Sequence, residues 1–213
     1  MREGKGRAGS DLRFIEKSKA AYNKKADHYD QTPDGRFTRR FKQLILAGVH
    51  LRDGMSVLDV ACGNGSLLAA MQKKARIEGF GIDISEGMVD AAARKNPGMT
   101  FHVSGCEEMP FTDASMDLIT VSAAYHHFPD VVAFADEVAR LLKPGGVICI
   151  ADIYLPAPLR VLVNPLLPFS RSGDVRIHSP EEIAQNFKRL GVVPVRLVRN
   201  RQIQVVTMRE RDS

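Results

Sequence analysis

Tryptophan is absent from the 213 residues, and tyrosine occurs only four times. A surface that stacks nucleobases interleaves aromatic rings with basic side chains. Here Lys and Arg (30, against 25 Asp and Glu, net charge +5) are concentrated in the first 42 residues and after Arg196 without such rings. The charge therefore reads as a solvated surface, leaving a nucleic-acid face, an anionic membrane surface or an acidic substrate as alternatives. Cysteine is scarce too. Cys62, Cys106 and Cys149 are odd in number and lack a C-x-x-C spacing, which excludes a disulfide framework and fits a reducing compartment. Cys62 and Cys149 read as small apolar fillers. No metal-ligand cluster is visible, because His126 and His127 are neighbours with no further His or Cys close by. No apolar run is long enough to cross a bilayer. Met1 to Ser10 is basic and glycine-rich without an apolar core, so it reads as neither signal peptide nor anchor, and a cytoplasmic protein with a frayed N-terminus is expected. What remains is one domain of ordinary size, 44% hydrophobic and 26% charged.

The chain is organised around Val57-Leu58-Asp59-Val60-Ala61-Cys62-Gly63-Asn64-Gly65. Ser56 to Val60 is short, apolar and β-branched-rich, as a strand buried on both faces must be, and Ser66 to Ala75 changes to helical spacing with Leu67, Leu68 and Met71. Strand, tight turn and helix form a unit that cradles nucleotides. Gly63 and Gly65 allow a ligand to lie against backbone at the helix N-terminus. The NAD pattern requires a third glycine where Leu68 stands. Asp59 would repel a pyrophosphate but suits an ammonium or sulfonium group. S-adenosylmethionine carries both cations. Asp83 ends the next strand, Gly79 to Ile84, 24 residues after Asp59, the separation that places an acid at the second strand tip for two ribose hydroxyls. Ser85 is a helix N-cap, and Ile84 with Met88 makes an apolar slot for adenine.

These features resemble the class I S-adenosylmethionine-dependent methyltransferases, in their small-molecule and quinone-methylating branch. The family pattern is an acid followed by G-x-G-x-G; Asp59, Gly63 and Gly65 match, and Ala61 stands at the first glycine. Ala26-Asp27-His28-Tyr29-Asp30 resembles the A-x-x-Y-D segment that sets a tyrosine near the methionine end of the cofactor. Ser104 to Phe111 resembles G-D-A-E-x-L-P-F, except that Gly105 replaces the carboxylate that accepts the adenine amino group. Adenine recognition then falls on the backbone of Gly105 and Cys106, or on a water. Strand four, Asp117 to Ser122, runs into Ala123-Ala124-Tyr125-His126-His127-Phe128 with no N-P-P-Y turn of the kind found in nucleic-acid and protein N-methyltransferases. Leu142-Lys143-Pro144-Gly145-Gly146 is a further family mark. The resemblance implies cofactor contacts from Tyr29, Asp59, Ala61, Gly63, Asn64, Gly65, Asp83, Ile84, Met88, Gly105, Cys106, Glu107 and Ser122. It implies a catalytic role for His126, His127 or Tyr125, since an imidazole titrates near neutral pH.

The expected fold is α/β: a Rossmann-like, seven-stranded, mainly parallel sheet with an antiparallel last strand and helices on both faces. Asp11 to Lys25 and Phe37 to Leu51 read as helices of a lead-in or lid segment over residues 1–50, with Arg39, Arg40 and Lys42 solvated. Residues 51–213 form the core. A cap at about 154–178 interleaves Pro156, Pro158, Pro165 and Pro168 with leucines and valines and reads as a cover over a substrate mouth, with a membrane-touching or partner surface as the competitor. The function implied is methyl transfer from S-adenosylmethionine, leaving S-adenosylhomocysteine, to a small aromatic or quinol-like acceptor. A non-catalytic cofactor binder and an RNA methyltransferase are the rivals; the oligomeric state stays open.

Overall fold

Ser56–Val60 forms β1, and every residue in it is buried. The computed structural model describes residues 4–170 and 173–211, with the side chains of residues 4–12 left aside. Two-residue periodicity in the central strands sorts side chains to two cores. Leu58 and Val60, with Ile148 and Ile150, face helices α5 (Val131–Leu141) and α7 (Pro180–Lys188). Val57, Cys149 and Ala151 face α2 (Pro33–Gly48) and α3 (Ser66–Gln72) on the other side. A sheet covered on both faces follows, which is why its strands are apolar throughout. Phe134, Phe187, Phe41 and Ile45 are fully buried anchors, and truncating a buried Phe to Ala costs ~3–5 kcal/mol.

The seven strands lie in the order β3-β2-β1-β4-β5-β7-β6. They are β2 (Glu78–Asp83), β3 (Thr100–Val103), β4 (Met116–Ser122), β5 (Leu142–Ile153), β6 (Val192–Asn200) and β7 (Ile203–Glu210). β1 to β5 pair in parallel, and β7 inserts antiparallel between β5 and β6. β1 is flanked by β2 on one side and β4 on the other, so the strand order reverses there. The carboxyl ends of β1 and β4 thus splay apart and open a crevice at the switch point.

Local signals explain most boundaries. Ser85 caps α4 (Glu86–Lys95) by accepting from Met88 N, and Asp130 caps α5 by accepting from the N–H groups of Val132 and Ala133. Ser179, Pro180 and Glu182 make a full capping box on α7. Three expectations give way. α2 starts at Pro33 instead of Phe37, because Thr32 accepts from Gly35 N and proline fits the first helical position. α1 (Gly4–Asn23) starts before Asp11 and stops two residues short of Lys25; the Asn23 side chain accepts from Ser85 Oγ and Gly87 N, holding the helix end against α4, and Ala26–Gln31 forms a separate 3-10 turn. The Lys143-Pro144-Gly145-Gly146 turn is incorporated into β5 as an irregularity, with Gly145 at φ +73°. The expected fraying of Met1 to Ser10 falls in part outside the described residues, α1 being described from Gly4.

Candidate functional site

A cavity of about 250 Å³ occupies the switch-point crevice. Asp59, Val60, Ala61, Cys62 and Gly63 enter it from β1 and its loop, Asp83, Ile84 and Met88 from β2 and α4, and Ser104 to Glu107 from the turn after β3. Ser122 to Ala124, with His127 to Pro129, close it from β4; Ile15, Ser18, Tyr22, Tyr29, Thr38 and Lys42 cover it from the N-terminal helices.

Of the residues expected at the cofactor, Tyr29, Asp59, Ala61, Gly63, Asp83, Ile84, Met88, Gly105, Cys106, Glu107 and Ser122 all line this cavity. Asn64 and Gly65 do not. Asn64 is buried beside it, and Gly65 (φ +70°) is the N-cap of α3, where a Cβ would lie 2.5 Å from Asn96 Nδ2. Its glycine serves helix packing. Gly63 (φ +52°) is different, since a Cβ there would face open space with only Met88 Sδ at 3.9 Å. That is a cradle a ligand can fill. Ala61 shares the left-handed conformation at φ +55°, which explains why glycine is the family's residue at this point.

Two carboxylates sit at the cavity floor. Asp59 is buried and accepts a hydrogen bond from Thr120 Oγ1 at 2.7 Å; burial, with the nearby Asp83 charge, lifts its pKa to about 7 against the pull of Thr120 and Lys42. Asp83 accepts from Gly63 N and Ser85 N, each at 2.9 Å, and burial lifts it to about 6. Acids held this close to neutrality favour a cationic ligand that ionises them. Lys42, which sequence reasoning placed in solvent, instead reaches into the cavity and donates to Ser66 Oγ at 2.5 Å, with burial lowering its pKa. The signal was available, because Thr38 and Lys42 share a helical face with the buried Phe41 and Ile45. Among the described residues, three buried polar atoms of cavity-lining side chains make no hydrogen bond: Glu107 Oε1, Ser122 Oγ and His127 Nδ1. A polar ligand would satisfy them. Ser104 spends its hydroxyl on the carbonyls of Gly105 and Glu108, and Glu107 is the carboxylate of this turn that lines the cavity.

The three residues expected at the chemistry separate. Tyr125 is fully buried, its hydroxyl accepting from Asn186 Nδ2 at 2.9 Å, and is a core residue. His126 is buried behind the cavity, with Nδ1 2.6 Å from Asp152 Oδ1; burial pulls its pKa down, but the Asp152 and Asp174 carboxylates outweigh it and the net shift is upward. His127 alone reaches the cavity; its Nε2 lies 3.3 Å from Tyr22 Oη, and burial, with the His126 charge beside it, lowers its pKa. The expectation that no ligand cluster exists also gives way. Asp174, distant in sequence, comes within 3.5 Å of His126 Nε2 and 3.3 Å of His127 Nδ1.

The doubly wound sheet thus carries a glycine-loop cavity with two acids at adjacent strand tips. Residues 58–150 match the family described as "Methyltransferase domain". Demethylmenaquinone methyltransferase of Chlorobaculum parvum is 36% identical over 100 residues, 47% of this chain and 42% of that one. The 27-O-demethylrifamycin SV methyltransferase of Amycolatopsis mediterranei is 29% identical over 166 residues, 74% of this chain and 61% of that one. The chain thus spans about half the length of these curated relatives. The solved YcgJ protein of Bacillus subtilis superposes with a TM-score of 0.71 at 22% identity, covering 82% of this chain and all of that one, which is a likeness of fold. Over residues 58–150 the chain is similar to methyltransferases, and its curated relatives methylate small molecules. Among the described residues no helix is long and apolar enough to cross a membrane.

Proposed function

We propose that the protein transfers the methyl group of S-adenosylmethionine to a small aromatic or quinol-like acceptor. The observation that carries this is the cavity itself: one open glycine loop, two near-neutral buried acids and a set of unpartnered polar atoms line a single space. Asp83 holds the ribose hydroxyls, Ile84 and Met88 flank the adenine, Glu107 Oε1 accepts from its amino group, and Asp59 faces the cationic methionine end. Bound there, the cofactor supplies an electrophilic methyl on sulfur. The chain's own work is to align the acceptor and keep water out. His127, neutral and on the cavity wall, is the group placed to take up an acceptor proton. The names of the relatives support an acceptor of quinol or phenol type, as do the apolar residues around the mouth.

Calorimetry with S-adenosylhomocysteine should show micromolar binding, and radiolabelled methyl should pass to a naphthohydroquinone or a phenol. No heat with the nucleoside, together with binding of NAD, would overturn the cofactor assignment. Label appearing in tRNA but in no small acceptor would replace the substrate class.

A further inference from the structure

Adjacent residues seldom point their ligand atoms at one place, yet His126 and His127 do, because a 3-10 turn (Tyr125–His127) brings their rings to a centroid separation of 4.1 Å. The chain returns beside them after the cap. Val175 N and Arg176 N both donate to the His126 carbonyl, at 2.8 and 3.1 Å, and this pairing fixes Asp174 against the two rings. The ligand atoms of the three residues lie within 4.8 Å of one another.

The hydrogen-bond roles around this cluster are constrained. An ionised carboxylate only accepts, so the 2.6 Å contact with Asp152 requires that His126 donate from Nδ1. When the ring is neutral, as a metal ligand must be, its lone pair is then on Nε2, 3.5 Å from Asp174 Oδ1. His127 has its Nε2 beside Tyr22 Oη, and its Nδ1, although 3.3 Å from Asp174 Oδ1, makes no hydrogen bond. Both nitrogens therefore converge on the same Asp174 oxygen. The two distances to Asp174 Oδ1, 3.5 and 3.3 Å, are ones that a shared ion with bonds of ~2.0–2.2 Å to nitrogen and oxygen can span.

We propose that His126 Nε2, His127 Nδ1 and Asp174 Oδ1 bind a divalent first-row transition-metal ion at the edge of the cavity. Two imidazoles and one carboxylate are the donor set such ions take with coordination positions left over, and Asp152 behind His126 is the outer carboxylate that orients a ligating ring. The ion and the two carboxylates sum to zero charge, which suits a site this buried. His127 belongs to both the ion and the cavity wall. Resting on the methyl-transfer reading above, the ion replaces His127 as the group that activates the acceptor: it binds an acceptor hydroxyl, the O–H bond breaks, the proton leaves to water, and the oxygen keeps the electron pair as the nucleophile.

The test uses the full chain without a histidine tag, stripped by chelator and titrated with Co²⁺ at pH 7.5 while visible absorption is followed. One equivalent should bind and give the ligand-field bands of a nitrogen- and oxygen-ligated ion. Asp174→Asn and His126→Ala should weaken binding at least tenfold, and Asp152→Asn by ~10- to 100-fold, while S-adenosylhomocysteine affinity, measured on the same samples, is retained. If a substitution unfolds the chain, imidazole NMR shifts of the wild-type protein on adding Zn²⁺ replace it, and both rings must respond. No bands in wild-type protein, Asp174→Asn binding Co²⁺ like the wild type, or only one ring responding to Zn²⁺ would overturn the proposal. One equivalent of Co²⁺ bound by a chain with no affinity for the nucleoside would leave the metal site standing and remove the cofactor reading instead.

Discussion

Asp83 and Gly63 lock each other in place: the Gly63 N–H donates to Asp83 Oδ2 at 2.9 Å, so the acid at the tip of β2 holds the loop that follows β1. Its other oxygen accepts from Ser85 N, at the start of α4. Asp83→Ala would strand both N–H groups, at ~1–3 kcal/mol for each that stays buried, and remove the acceptor proposed for two ribose hydroxyls. We expect S-adenosylhomocysteine affinity to fall at least tenfold, with a lower unfolding midpoint. Unchanged affinity by calorimetry would show that the ribose lies elsewhere.

Asp59 gives a pH signature. A native pKa of about 7, above the ~3.9 of an unfolded aspartate, means that the native state keeps a proton the unfolded chain releases. That contribution to stability is full below about pH 4 and is lost as pH rises through 7. The groups facing it, Thr120, Lys42 and Asp83, remain in Asp59→Asn, so the stability difference between wild type and variant isolates the term. Relative to the variant, the wild type should lose stability between about pH 4 and 7 in urea titrations, with no further change above that. Cofactor affinity should run the other way, rising with pH over the same window in the wild type alone. A flat difference would place the Asp59 pKa near that of an ordinary aspartate.

Lys42 distinguishes the two ends of the cofactor. An ammonium in the same cavity as Asp59 has no use beside a sulfonium, but it suits the carboxylate of the methionine moiety. Lys42→Met should therefore weaken S-adenosylhomocysteine binding by ~1.5–3 kcal/mol and leave 5′-methylthioadenosine, which lacks that carboxylate, within about twofold. Equal losses for both ligands would assign Lys42 to structure.

Ala61 shows what the sequence disclosed and what it could not. The loop, the strand order and the eleven expected residues that line the cavity were legible because each rests on local chemistry: a glycine, a cap, an acid ending a strand. Lys42 was legible only from the helical face it shares with Phe41 and Ile45, which its charge masked, and Asp174 was not, since it reaches the histidines only through the return of the cap. At Ala61 itself, a Cβ is held at φ +55°. A non-glycine residue pays ~1–2 kcal/mol there, while Ala→Gly elsewhere costs ~0.5–1 kcal/mol in chain entropy. Ala61→Gly should thus be neutral or stabilising by up to about 1 kcal/mol in denaturant titration, and a clear loss of stability would show that the methyl group contributes packing.

The last expectation concerns closure. A reactive methyl must be shielded from water, and the strand tips alone leave the cavity open toward solvent. α1 covers that side with Ile15, Ser18 and Tyr22, and Lys17 Nζ reaches the carbonyls of Pro168 and Ser170 at 3.3 and 3.2 Å. The cap, α6 (Ala157–Val163) with the 3-10 turn Asn164–Phe169, has no buried residue. Val161, Leu162 and Phe169 are 70%, 69% and 81% exposed. An apolar segment so weakly anchored opens at low cost, as lids do. Hydrogen exchange should therefore be fast in residues 155–169 and in α1 without cofactor, and slow in both together when S-adenosylhomocysteine binds, because Lys17 ties them. Removing residues 1–23 should lower turnover far more than the unfolding midpoint, since Phe41 and Ile45 of α2, not α1, anchor the helical layer to the sheet. Exchange that slows in one segment and not the other would break the coupling, and exchange unchanged in both would make α1 a fixed structural helix.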